Sequence, residues 1–330
     1  MSTKNSPALD EKAMFYMFLL AVQFGLQPVL TRRFTPPGIC GSTVILMQEL
    51  LKFIFAFAML HMSGGTNAAL SGWKISDWVT VAFLPAALYA LQNLAALQAY
   101  QNLDSLTFNV LNQTKTLSAA LCCYLVMGRR QSVVQVFSLF LLLLSALIME
   151  RLVSFDSLFS DGVGIEVPEW GSKHWSHGVA PIMLASFISG LSGALSQKNL
   201  QSQGGGRDPY LFSMELCAAS VLILTASLFF TSDGTLISHN GFWHGWTLAT
   251  WIPIATNSIG GIIVGLVTKY AGSVRKGFAL IFGIFLSGVV QALVQPDVGV
   301  SREQAVGGIL AALSLWIHAT NPPISKRKQD

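Results

Sequence analysis

The chain has 330 residues, 52% of them hydrophobic and only 11% charged, with a formal net charge of +4 and a mean hydropathy of +0.55. Soluble domains carry about 25% charged residues, so the composition excludes an ordinary soluble domain and indicates a polytopic membrane protein. With charge this sparse, and no basic tract interleaved with aromatics, nucleic acid is excluded as a partner and the lipid bilayer is the expected one.

The polar start "MSTKNSPALDEK" has no short apolar stretch followed by a cleavage site and runs straight into a long apolar segment. An uncleaved first membrane helix is expected. A bilayer core about 30 Å thick needs roughly 20 mostly apolar residues per helix. Ten segments meet this, near 13–31, 39–62, 78–100, 105–127, 132–150, 178–200, 209–231, 245–269, 275–294 and 303–320. Pro85 and Pro253 interrupt the third and eighth, a break tolerated where the backbone faces protein or a cavity. The expected fold is all-α with ten transmembrane helices.

Ten spans put both termini on one side. With that side cytosolic, 13 Lys and Arg residues are cytosolic, among them Lys74, Arg129, Arg130, Lys198, Arg207, Lys269, Arg275 and Lys276. Five lie opposite: Arg32, Arg33, Arg151, Lys173 and Arg302. This bias supports cytosolic termini. The stretch 151–177 is then a luminal loop between a first five-helix repeat (1–150) and a second (178–320), with a cytosolic tail at 321–330. Pro85 and Ser105 fall on Pro253 and Ser273 at a constant offset of 168, and Glu49 and Glu215 are 166 apart, each in the second span of its half. Five spans per half give the two copies opposite orientations, the inverted-repeat plan whose binding site lies between the repeats near the midplane.

Charges inside the membrane cost roughly 2.5–3.5 kcal/mol and tend to face a partner or a cavity. Glu49 and Lys52 stand i, i+3 on "MQELLKFIF" and are expected to form a structural ion pair. Tyr89 and Asn93 share a face one turn apart. Lys115 has no carboxylate at i±3 or i±4 and lies about ten residues from each end of its span. We read it as facing an aqueous cavity that receives an anion. Phe108, Asn112 and Gln113 surround it with a flat ring and amides, a set that suits a nucleotide and equally a proton-coupled exporter of polar metabolites. Glu215 in "LFSMELCAA" is open between ligand contact and pairing with a lysine of the other half. Gly260, Gly261 and Gly265 let a helix or a ligand approach closely. Lys276 begins the span that the repeat pairs with that of Lys115, and two such cations could hold a diphosphate between them.

Cys40, Cys122, Cys123 and Cys217 form no CxxC or Cys/His pattern, so buried thiols and no metal site are expected. No cofactor is implied. The six histidines are dispersed, which disfavours a membrane-embedded sugar transferase, since that chemistry clusters carboxylates or histidines at a membrane surface.

The phrases "QELLKF", "PAALYALQNLAALQAYQNLDSLTFNVLNQTKTLSAAL", "ISGLSGALSQK" and "GGIIVGLVTKYAGSVRKGF" resemble the nucleotide-sugar transporters, in the branch of the CMP-sialic acid, UDP-galactose and UDP-N-acetylglucosamine carriers. "LDSLTFNVLNQTK", "GFWHGWT" and "YAGSVRKGF" are similar to the plant endoplasmic-reticulum carriers of UDP-N-acetylglucosamine and UDP-N-acetylgalactosamine. The resemblance spans nearly the whole chain. It implies the drug/metabolite-transporter fold with two inverted five-helix repeats, and exchange of a nucleotide sugar for a nucleoside monophosphate, not an enzymatic reaction. By motif position it assigns phosphate contacts to Lys115 and Lys276, and the nucleotide site to Tyr89, Asn93, Ser189 and Ser213. Where relatives with "YQVTYQLK" carry two tyrosines, this chain has Phe108 and Asn112, which leaves the base open. Lys326 and Lys328 have the spacing of a cytosolic dilysine retrieval signal for the endoplasmic reticulum, to be read by coat proteins, or serve as a topology anchor with a Golgi address. A homodimer is left open. The alternative on the same fold is an exporter of unrelated cargo.

Overall fold

The computed structural model describes residues 11–103, 105–149, 175–202, 206–294 and 301–321. Most of the loop expected at 151–177, and the pair Lys326 and Lys328, lie outside these residues.

Among the described residues the chain is helical, without a β-strand. Glu11–Phe34 (α1), Gly41–Met62 (α2) and Ile75–Asn102 (α3) come first. Within α3 a π-helical turn at Val79–Phe83 precedes Pro85, so the helix absorbs its proline by a local change of winding. Ser105–Gln113 (α4), Lys115–Met127 (α5) and Val133–Met149 (α6) complete the first half. The second half holds Trp175–Leu200 (α7), Pro209–Leu228 (α8), Leu248–Tyr270 (α9), Ser273–Val294 (α10) and Arg302–Thr320 (α11). Seven of these, α1, α2, α3, α7, α8, α9 and α10, are long and apolar enough to cross a bilayer. The span expected at 105–127 is two helices, not one. It breaks at Thr114, whose hydroxyl turns back to the Leu111 carbonyl, and the helix restarts at Lys115.

Local chemistry sets several helix starts. Asp208 caps α8, its carboxylate accepting from the Tyr210 and Leu211 amides, and Pro209 occupies the first helical position, where a missing N–H costs nothing. α6 and α11 begin with the same reciprocal device. Ser132 and Gln135 exchange side-chain and backbone hydrogen bonds at 3.1 and 3.2 Å, as do Ser301 and Gln304.

α1 packs on α9 and α10, and α7 packs on α3 and α5. α2 lies between α8 and α9, and α6 pairs with α11. The main core gathers Leu20, Leu139, Leu142, Val267 and Phe278, all fully buried. Small residues let the helices close on one another, as lipid-embedded bundles require when packing rather than water expulsion drives association. Phe15, Phe18, Phe57, Phe137, Phe140 and Trp316 instead face outward. So much apolar surface is foreign to a soluble monomer and suits lipid. The four cysteines are free thiols, Cys122, Cys123 and Cys217 being buried.

Candidate nucleotide-binding site

The break at Thr114 makes Lys115 the first residue of α5. Lys276 lies in the first turn of α10. The two helix starts meet: a Cβ built on Gly277 would stand 2.8 Å from Thr116 Cγ2. Each half-buried lysine thus precedes, by one residue, a member of the same helix contact. α7 crosses beside both helices. A Cβ on Gly190 would lie 2.5 Å from the Ser118 carbonyl carbon, and one on Gly193 would lie 4.0 Å from Lys276 Nζ. Ser189, half-buried, is one turn before Gly193 on the same face. Three helices therefore converge with Lys115, Ser189 and Lys276 upon them. A helix N-terminus carries partial positive charge. Two such ends with two ammonium groups form a region suited to an anion, phosphate above all.

On the α3–α4 side, Tyr89 is half-buried and Asn93, one turn on, is exposed. Phe108 packs with Leu111 against Ala95, Ala99, Leu103, Ile182 and Ala185. Its ring meets Tyr100 edge-on at 5.2 Å and 82°. The structure therefore uses Phe108 for packing between α3, α4 and α7. Asn112, one turn later, is half-buried, and Gln113 is buried. Ser186 of α7 holds this wall through the Leu111 carbonyl at 3.4 Å.

Glu49 and Lys52 lie in a separate cluster. Lys52 Nζ is 2.6 Å from Glu49 Oε1. Gly261 makes room for that lysine, since a Cβ there would stand 2.5 Å from Lys52 Cδ. Gly260 does the same for the Gln23 carboxamide and Gly265 for the Ser213 hydroxyl. Each glycine of "SIGGIIVG" so admits a side chain of another helix. Ser213 is buried and donates to the Pro209 carbonyl at 2.8 Å, within its own helix.

Glu215 is 5% exposed, with both oxygens engaged. Arg207 Nε donates to Oε2 at 3.0 Å and Arg207 Nη2 to Oε1, while Trp73 Nε1 donates to Oε1 at 2.6 Å. Trp78 Nε1 reaches the Glu215 carbonyl at 2.9 Å. Of the two roles left open for Glu215 the structure shows internal pairing, with an arginine just before its own helix and not with a lysine of the other half. Hydrogen bonding to Glu215 raises the Arg207 pKa above its ordinary value, against the opposing effect of burial. Arg207 and Trp73 escape sequence reading because Arg207 lies before the helix that carries Glu215 and Trp73 is 142 residues away. A second unforeseen element is Gln201. It accepts from Arg129 Nη1 at 2.7 Å and from Gln197 Nε2 at 3.0 Å, and donates to the Thr268 and Lys269 carbonyls at 3.0 and 2.6 Å. The i, i+4 carboxamides of "SQKNLQ" were its only local sign. Asn199 adds a bond to the Val81 carbonyl at 3.0 Å. One end of the bundle is thus tied across α3, α5, α7, α8 and α9.

The profile of the family described as nucleotide-sugar transporter matches residues 13–319. A UDP-N-acetylglucosamine transporter of Arabidopsis thaliana is 33% identical over 288 residues, covering 87% of this chain and 86% of the relative. A UDP-N-acetylglucosamine transporter of Mus musculus is 25% identical over 307 residues, 89% of this chain and 91% of the relative. One crystal structure, 11% identical, shares the fold with a TM-score of 0.65 over 93% of this chain and 97% of that one.

Proposed function

The chain belongs to the nucleotide-sugar transporter family, and from that premise we propose that it exchanges a cytosolic UDP-sugar for luminal UMP by alternating access. The sugar we assign is N-acetylglucosamine, with N-acetylgalactosamine and galactose as the nearest alternatives. The membrane is that of the endoplasmic reticulum or Golgi, with both termini cytosolic. The family is one of transporters and not of enzymes. The observation that carries the proposal is the meeting of two helix starts, each with its lysine, at Thr116 and Gly277. A nucleotide presents phosphate to such a region. Tyr89, Asn93, Asn112 and Ser189 supply polar groups for the base and ribose, with Phe108 as the wall behind them.

Three features support ten spans in two inverted repeats. Exchanging the halves turns the α1–α10 packing into the α7–α5 packing and the α1–α9 packing into the α7–α3 packing, and returns α2–α8 and α6–α11 to themselves. Gly190 follows Gly25 by 165 residues, and Gly283 follows Ser118 by the same 165. Gly25 stands against the backbone at Gly283 just as Gly190 stands against that at Ser118. The capping pairs Ser132/Gln135 and Ser301/Gln304 are likewise 169 apart in both members.

The end bound together by Gln201 carries Arg129, Arg207 and Lys269, which the charge bias assigns to the cytosol. At the other end α4 packs on α3, α6 and α7, while the restarted α5 packs on α10. This supports a state closed on the cytosolic side with the lysine region approached from the lumen. The test is a thermal-shift panel of UMP, CMP, GMP and AMP, then UDP-sugars, on the purified protein, because ligand bound to the folded state stabilises it by mass action. We expect UMP to raise the melting temperature most among the monophosphates and UDP-N-acetylglucosamine most among the sugars. A panel in which no nucleotide stabilises the protein would remove the proposal in favour of unrelated cargo.

A further inference from the structure

We infer that a cavity at the end of the bundle tied by Gln201 is a phosphate-binding vestibule separate from the lysine region at Thr116 and Gly277. It has a volume of about 550 Å³ and is lined by Gly65, Ala69, Asn199, Arg207, Asp208 and Lys269, among others. That volume lies in the range of small-molecule sites, about 300–1,000 Å³. Its charged lining is two cations and one carboxylate. The Asp208 carboxylate is spent on capping α8, where its Oδ1 takes the Tyr210 and Leu211 amides and its charge answers the helix dipole. The cations retain donors. A guanidinium has five N–H groups, and Arg207 places two of them on Glu215. Lys269, in the last turn of α9, holds its ammonium 6.0 Å from the Tyr270 ring centre and has an ion pair with no described carboxylate. Fork and point charge together, beside a concave wall of small residues, suit the oxygens of a phosphate.

Arg207 also belongs to the tie that closes this end. A phosphate bound in the vestibule shares the guanidinium with Glu215, taking N–H groups that the carboxylate leaves free. The Glu215 carboxylate is what Trp73, from the segment between α2 and α3, holds at 2.6 Å. A soluble nucleotide and a lipid headgroup both carry the phosphate that this chemistry selects. The transporter reading identifies the face as cytosolic; the chemistry of the cavity stands without it.

The test uses the full chain carrying Ala69→Cys, in nanodiscs of phosphatidylcholine, with maleimide labelling of that position measured against the parent chain. Inorganic phosphate is expected to slow labelling several-fold at constant ionic strength, while chloride and uridine leave it unchanged. Adding Lys269→Gln is expected to abolish this protection, and adding Lys115→Ala to leave it intact. Nanodiscs containing phosphatidylinositol 4-phosphate separate the sources: protection there alone assigns the vestibule to a lipid headgroup, and protection by soluble phosphate assigns it to a free ligand. Absence of protection by either, or protection that survives Lys269→Gln, overturns the vestibule. An Ala69→Cys chain protected by phosphate but not stabilised by UMP overturns the transporter reading and not the vestibule.

Discussion

Trp73 donates its indole N–H to the Glu215 carboxylate at 2.6 Å, across 142 positions of sequence, and Arg207 forks onto both oxygens of the same carboxylate. Removing one partner of a buried ion pair strands the other charge, at a cost on the order of 3 kcal/mol. Glu215→Ala and Arg207→Ala should each lower the melting temperature of the purified protein by several degrees. The double variant should be more stable than the sum of the two losses, because it leaves no stranded charge. Additive losses in this cycle would show that the pair contributes nothing as a pair. Trp73→Phe removes one hydrogen bond to a charged group and should cost about 1.5–3 kcal/mol.

Gly261 stands where a methyl group would press on Lys52. A Cβ there would be 2.5 Å from Lys52 Cδ, and the lysine cannot retreat without leaving Glu49. Gly261→Ala should destabilise by about 1–3 kcal/mol through overpacking. Gly41→Ala is the control, because a Cβ at Gly41 meets nothing within 4 Å. Equal melting temperatures for the two variants would mean that Lys52 moves aside at no cost.

Much of this architecture could be read from the sequence, and what escaped follows from two physical causes. Span length and charge bias are local quantities, so the long helices α1, α2, α7, α8 and α10 appear within a few residues of their expected places. The pairing of Glu49 with Lys52 follows an i, i+3 rule. The break at Thr114 does not, because Thr-Lys-Thr is compatible with helix and the interruption depends on how α4 packs on α3 and α7. Arg207 was legible only as a topology charge. Its contact with Glu215 and Trp73 needs three segments in place at once, and no spacing encodes that. Phe108 was expected beside a ligand; its half-buried ring packs between α3, α4 and α7, and an aromatic next to polar residues gives the same sequence pattern for either role.

That packing makes a distinction measurable. Phe108→Ala should lower the melting temperature of the ligand-free protein by an amount corresponding to about 2 kcal/mol, below the 3–5 kcal/mol of a fully buried Phe because Phe108 is only half-buried. Asn112→Ala, at a half-buried polar position one turn away, should change the ligand-free melting temperature little and reduce the stabilisation given by UMP. If Phe108→Ala left the ligand-free protein unchanged and altered only the preference among UMP, CMP and GMP, the ring would be a base platform and not a packing element.

Lys115 and Lys276 flank one contact, so their effects on a shared anion should be coupled. Each half-buried ammonium loses a charge-assisted hydrogen bond to phosphate when replaced, worth about 1.5–3 kcal/mol. At 1.4 kcal/mol per decade, Lys115→Ala and Lys276→Ala should each weaken UMP binding by roughly tenfold to a hundredfold. Uridine, which lacks the phosphate, should bind the three proteins alike. The double variant should lose less than the product of the single losses, since an anion already missing one cation sits less firmly on the other. Titration of UMP and uridine against the four proteins decides the matter. Unchanged UMP affinity in Lys115→Ala would remove the lysine from the site and leave the meeting of α5 and α10 as helix packing alone.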